Sequence, residues 1–487
     1  MGGGAAVAPY PADVKLVAGD FLPDLPDYGA PGLSLVANAY PGAAGWRPVG
    51  AFYAHAAALP SPCKGASSFI APSGRSVLIA GTASKLYRLD GTAWAEIGTG
   101  YTLSASQRWR FVQFGTIAIV SNGLDTPLRV NLETDAVATL GGSPPDMQAM
   151  AVVNNFVVGT QIGQVVNRIA WSGRNNAEWW TYAERQSDFT DFPDGGEVTG
   201  IIGGEVGLVL QRNAVRRMAY IGGNVLFRFD KISSFVGCAT VHSVAQHGEL
   251  AFWYSDNGFK MWDGAQIKAI GHERVDNSFA SLYGQVDYDQ ISTAIDGQRN
   301  TVAWSSGNKS WLYNWLLDKW SLIDHAAEII AQRATRAPSL EQQDPVEGSD
   351  DDDIDEAGLD SLDAARFRLG DPVFYVFSEG VIGTFNGTNM EARFADRTRE
   401  LIEGRDARIQ RVRPMTNALD GITVRIDAKQ RLGDAARRVD ASTLNASGTM
   451  PLRNRGRFIK ARVTIAAETE WTYHQGLDVM LGAGGRR

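Results

Sequence analysis

Six histidines, two cysteines and scattered aspartates are the residues of this 487-residue chain whose types suit catalysis or metal binding. His55, His242, His247, His272, His325 and His474 do not have zinc-type spacing to one another or to Cys63 and Cys238. His242 and His247 are the closest pair, and an offset of five places them on opposite faces of a strand. There is no G-x-S-x-G, no phosphate loop and no C-x-x-C. Gly203-Gly204 and Gly222-Gly223 read as turns. The two cysteines give no disulfide framework and read as buried small apolar residues of a reducing compartment.

The strongest catalytic hint is Ser255-Asp256-Asn257-Gly258 with Trp262. It is similar to the S-x-D-x-G-x-x-W box of sialidase propellers, but Ser is one place too close to Asp and Trp one place too far from Gly. Such a box closes a turn; sugar cleavage needs paired carboxylates, or a Tyr with its base, on converging loops. The chain therefore reads as a non-enzyme with no cofactor and no metal.

The elements that would position any site are short strands. In residues 250–271, Leu250 to Tyr254, Phe259 to Trp262 and Ala265 to Ile270 are rich in aromatic and branched residues. Asn257-Gly258 and Asp263-Gly264 separate them, and such pairs favour two-residue turns with positive φ at both central positions. One such meander cannot cover its own apolar face. The pattern recurs at 76–97, 110–140, 205–230 and 300–323, and more weakly at 149–182 and 373–387. Middle strands fall near residues 87, 118, 157, 217, 260, 312 and 383. A sheet unit repeated every 40–60 residues predicts an all-β fold, a β-propeller whose blades pack face to face. The 53 glycines and 44% hydrophobic residues fit many short strands around a large core. A set of β-sandwiches is the competing architecture.

Residues 1–65 are rich in Pro, Gly and Asp and read as an extended N-terminal arm. Leu33, Leu35, Val36, Tyr40 and Trp46 are too apolar for a solvated tail, so the arm is expected to lie along a neighbour or along its own propeller. The propeller is assigned to residues 66–392, with a solvated acidic insertion at 341–358. Residues 393–487 read as a smaller, basic C-terminal β domain. Net charge is −8. From Arg393 onward 19 Lys and Arg face 11 Asp and Glu, a net +8, which leaves −16 for residues 1–392. In 459–465, Ile459, Ala461, Val463 and Ile465 share one face and Lys460, Arg462 and Thr464 the other. Arg453, Arg455, Arg457, Lys460 and Arg462 are the candidate partner- or DNA-facing residues.

The start, MGGGAAVAPYPADVK, lacks the basic and apolar regions of a signal peptide. Ala6 stands where a myristoylation signal has Ser or Thr, and no run approaches the ~20 apolar residues of a membrane helix. A soluble product of a cytoplasm is expected.

Four stretches carry a resemblance: PGLSLVANAYPGAAGWRPVG near the start, RIAWSGRNNAEWW (168–180), GLVLQRNAVRRMAYIGGNVLFRFDKISSFVGCATVHSV (207–244) followed by FWYSDNGFKMWDGAQIKAIG, and GRFIKARVTIAAETEWTYHQGLDVMLGAGGRR (456–487). Together they resemble the tail hub or head-completion proteins of short-tailed bacteriophages, the packaged-DNA stabilisation or nozzle type. The resemblance implies a structural virion protein in a hexameric ring. Its implied partners are the portal-adaptor protein of the phage neck, tail fibre, spike or needle proteins, and passing double-stranded DNA touched non-specifically. An acidic bulk suits a channel in which DNA slides, since basic walls would hold the phosphates. The alternatives are a glycan-binding or glycan-cleaving tail propeller and a bacterial surface-binding propeller.

Overall fold

The computed structural model describes residues 13–162, 165–223, 225–282, 288–333 and 373–482. The acidic insertion 341–358 lies outside the described residues.

Seven antiparallel four-stranded sheets follow one another along the chain. Their inner strands are Gly65–Ile70, Arg110–Phe114, Ala149–Val153, Val198–Ile202, Ala245–His247, Ser292–Asp296 and Ile329–Arg333. Consecutive inner strands touch around a closed circle, with the turn Val241–Ser243 bridging blades four and five and the seventh strand meeting the first. Seven apolar clusters fill the gaps, one for each pair of neighbouring blades. The cluster that joins blade seven to blade one holds Leu78, Ala80, Tyr87, Ile329, Tyr375 and Phe377. The fold is a seven-bladed β-propeller.

All seven marker positions fall in middle strands, one per blade. The unit has four strands where the sequence suggested three. The missed strand in most blades is the innermost, such as Ala245–His247, which is too short and polar to announce itself. The turn chemistry also differs from expectation. Ser255 pairs with Gly258, so Asp256 and Asn257 are the central residues; neither has positive φ, and the flanking Gly258 does, at 87°. A Cβ on Gly258 would lie 1.9 Å from an Asp276 carboxylate oxygen, so packing as well as backbone demands glycine here. The second break is a four-residue loop in which Asp263 Oδ1 accepts from the Ala265 and Gln266 amides at 3.0 and 2.9 Å.

The arm boundary at residue 65 is corrected by the pairing. Strand Gly50–Ala54 is the outermost strand of blade seven, with Phe52 opposite Phe385 and Ala54 opposite Gly383. N-terminal chain thus closes the circle against C-terminal chain. The preceding strands join two six-stranded sheets formed mainly by residues 392–481. Asp13–Val17, Ala39–Gly42 and Gly45–Pro48 enter the first sheet, and Leu35–Ala37 enters the second. The sheets pack face to face as a sandwich. Its core is continuous with that between blades five and six, where Trp304, Trp311 and Trp320 are buried.

Candidate partner interface

The arm residues named from the sequence are used inside the chain. Leu33 and Val36 are buried, Leu35 is half-buried opposite Ala395, and Val36 sits opposite Phe394. Trp46 is buried and pairs with His474. Half-buried Tyr40 lies against Arg299, whose guanidinium carbon is 5.1 Å from the ring centroid. Burial pushes the Tyr40 hydroxyl up to about 12, against the opposing charge of Arg299.

Between these strands the chain loops over a buried cation. Arg397 donates from Nη1 to the carbonyl oxygens of Leu25 and Pro26 at 2.7 and 2.6 Å, from Nε to that of Pro31 at 3.0 Å, and from Nη2 to that of Leu22. Asp27 accepts from Thr398 Oγ1 and Lys460 Nζ, both at 2.6 Å. Burial works to raise the Asp27 carboxyl, but Lys460 and Thr398 outweigh it and hold it below the usual range. On the propeller side, Asp24 accepts from the amides of Asn277 and Ser278, both at 2.7 Å, at the start of the short helix Asp276–Leu282. One stretch of arm therefore contacts the sandwich with one set of groups and blade five's exit with another.

The five basic candidates do not form one patch. Lys460 and Arg462 stand on the outer face of the second sheet and pair with Asp27 at 2.6 Å and Asp427 at 3.2 Å. Arg457, just before that strand, pairs with Glu400 at 3.0 Å. Arg453 and Arg455 alternate outward on strand Met450–Gly456 of the first sheet. Arg455 meets Asp406 at 3.1 Å; Arg453 has no carboxylate partner among the described residues.

The first sheet's outer face carries cations the sequence reading passed over. Strand Ala407–Thr416 presents Arg408, Arg411 and Arg413 outward beside Arg453 and Arg455, and Lys15 lies two strands away. Arg408 is directly opposite Arg455. Like charges facing each other across a ladder are destabilising, yet Arg408, Arg411 and Arg413 form no ion pair among the described residues. Their signal was the alternation RIQRVRPM, legible as a strand but not as a neighbour of 450–456 until the register was known.

The sialidase-like turn is engaged structurally. Asp256 accepts from Arg212 and from the Tyr288 hydroxyl, both at 2.9 Å, and Trp262 is buried. Among the described residues no group of three or more His, Cys, Asp or Glu is placed to hold a metal. Both cysteines are buried.

No family model matches this chain. No curated protein matches it either. Among solved structures it is similar to the crystal structure of RRP9 WD40 repeats at 10% identity and a TM-score of 0.38, over 69% of this chain and all of that one.

Proposed function

We propose that this chain is a structural virion protein, the tail hub or nozzle of a short-tailed phage. In this reading it joins the portal-adaptor complex to the distal tail, retains packaged DNA and forms the channel for its ejection, without catalysing a reaction. The observation that carries the reading is the clasp. Strands between Asp13 and Pro48 are built into the C-terminal sandwich, and the next strand closes the propeller. Force applied to either body then passes through hydrogen-bonded ladders instead of a free linker. That suits a part that bears the pressure of a DNA column.

Two surfaces supply contacts in this proposal. The arginine face of the first sheet meets anionic partners, either DNA phosphates or an acidic neighbour. Blade four exposes Val206, Ile221 and Val225, apolar surface that suits the head-to-tail contact of a cyclic ring. The mass of the assembled full-length protein tests the proposal: a ring near six copies supports it.

A further inference from the structure

The inner strands of blades one, two, six and seven and the chain before blade five line a cavity of about 220 Å³. Its wall includes Ser67 of blade one, Arg108 and Arg110 at the start of blade two, His242 before blade five, and Thr293 of blade six. No described residue of this wall is acidic. Arg108 donates to the Ile291 carbonyl at 2.9 Å and to that of Asp289, among its contacts.

Arg110 is placed differently. Among the described residues its hydrogen-bond partner is His242 Nδ1, and it forms no ion pair. A guanidinium has five donors and no acceptor, so this contact requires a neutral His242 ring with its hydrogen on Nε2. Burial, then the charges of Arg110 and Arg108, pushes His242 well below the usual histidine range. Burial, then Arg108, also pushes the Arg110 guanidinium down, to about 9. A half-buried cation beside a second cation is costly unless a counter-charge reaches it.

We propose that this cavity is a binding site for a small oxyanion, phosphate or a phosphomonoester, held by the remaining donors of Arg110 with the charge of Arg108 alongside. The planar fork of a guanidinium matches two phosphate oxygens. The Thr293 hydroxyl is already committed to the His242 carbonyl at 2.9 Å, which fixes the opposite wall. The cavity takes a group the size of phosphate and excludes a duplex, so the site is separate from any DNA conduit and independent of the ring proposal.

The test is calorimetric titration of the full-length chain with inorganic phosphate at matched ionic strength, repeated with a nucleoside monophosphate and in the presence of a short DNA duplex. One saturable site per chain is expected, weakened about ten-fold or more in Arg110→Met. Arg110→Met removes an uncompensated charge, so it should fold with unchanged or raised thermal stability. Arg110→Lys keeps the charge without the fork and should bind weakly. The duplex should not displace phosphate. Absence of saturable binding, equal binding by the wild type and both variants, or displacement by duplex, which would place the anion on the outer arginine face, would overturn the proposal.

Discussion

Arg397 Nη1 lies 2.7 Å from the carbonyl oxygen of Leu25, a contact across 372 positions of sequence. It is one of four bonds by which a fully buried guanidinium holds residues 22–31 of the arm. A carbonyl accepts from a cation more strongly than from a neutral donor, and of the four acceptors only the Leu22 carbonyl has a second backbone donor among the described residues, the Leu25 amide at 3.2 Å.

Arg397→Ala should therefore release the arm loop while leaving the distant blades intact. Loss of stability of about 3 kcal/mol or more is expected, since several charge-assisted bonds go at once. Hydrogen exchange and limited proteolysis should show new exposure confined to residues 20–33. Unchanged protection there would show that the strands alone secure the arm.

Closure of the propeller depends on close backbone approach in blade seven. A Cβ at Gly383 would stand 2.3 Å from the Tyr53 carbonyl oxygen and 2.6 Å from the Phe52 ring. Gly383→Val should force strand Gly50–Ala54 off its partner, at a cost of about 3 kcal/mol. Thermal unfolding should shift downward, with blade seven losing exchange protection first. A normal melting profile would mean that the outer strand contributes little to closure.

How legible this architecture was depends on where the apolar residues sit. Strands such as Leu250–Ser255 and Lys309–Asn314 are buried apart from a half-buried first residue, and their aromatic runs stand out in the sequence. Ala245–His247 is half-buried and lies at the axis, so its local pattern says nothing of its place. The clasp was hidden for a different reason. Val36 and Trp46 stand out as apolar in the sequence, but pairing with Phe394 and His474 crosses more than 350 residues, and no local periodicity encodes a partner that distant. The alternation read in 459–465 is seen in the burial of that strand. The ion pairs that occupy Lys460 and Arg462 come from Asp27 and Asp427, which only the fold brings near.

His474 is buried against Phe394, ring centroids 4.4 Å apart, and its Nδ1 lacks a hydrogen-bond partner. Burial lowers its pKa from 6.5 to about 4. Below pH 6.5 the unfolded chain takes a proton that the folded chain refuses, so the group's contribution is present above that pH. It is lost as pH falls from 6.5 to about 4, and by pH 4 the loss is about 3 kcal/mol. His242 and His325, both lowered chiefly by burial, act in the same direction. Asp276, pushed up to about 6 chiefly by burial, acts in the opposite one. Denaturant titrations at pH 7 and pH 4.5 should show a smaller loss in His474→Met than in the wild type; an identical loss would remove His474 from the account.

The arginine face makes a salt-dependent prediction. Replacing Arg411 and Arg453 with Ala should weaken non-specific duplex binding and reduce the slope of log affinity against log salt by about 2. Pairs already satisfied inside the chain, such as Lys460 with Asp27, should matter less to the slope. An unaltered slope would assign this face to a protein neighbour.

The central claim, a mechanical part that works in a ring, is tested most directly by the native mass of the purified full-length protein, with negative-stain images of the same sample. A closed ring near six copies is the expected result, and Val225→Asp on the exposed apolar surface of blade four should shift it toward smaller species. A monomer or trimer that cleaves capsular polysaccharide would contradict the account.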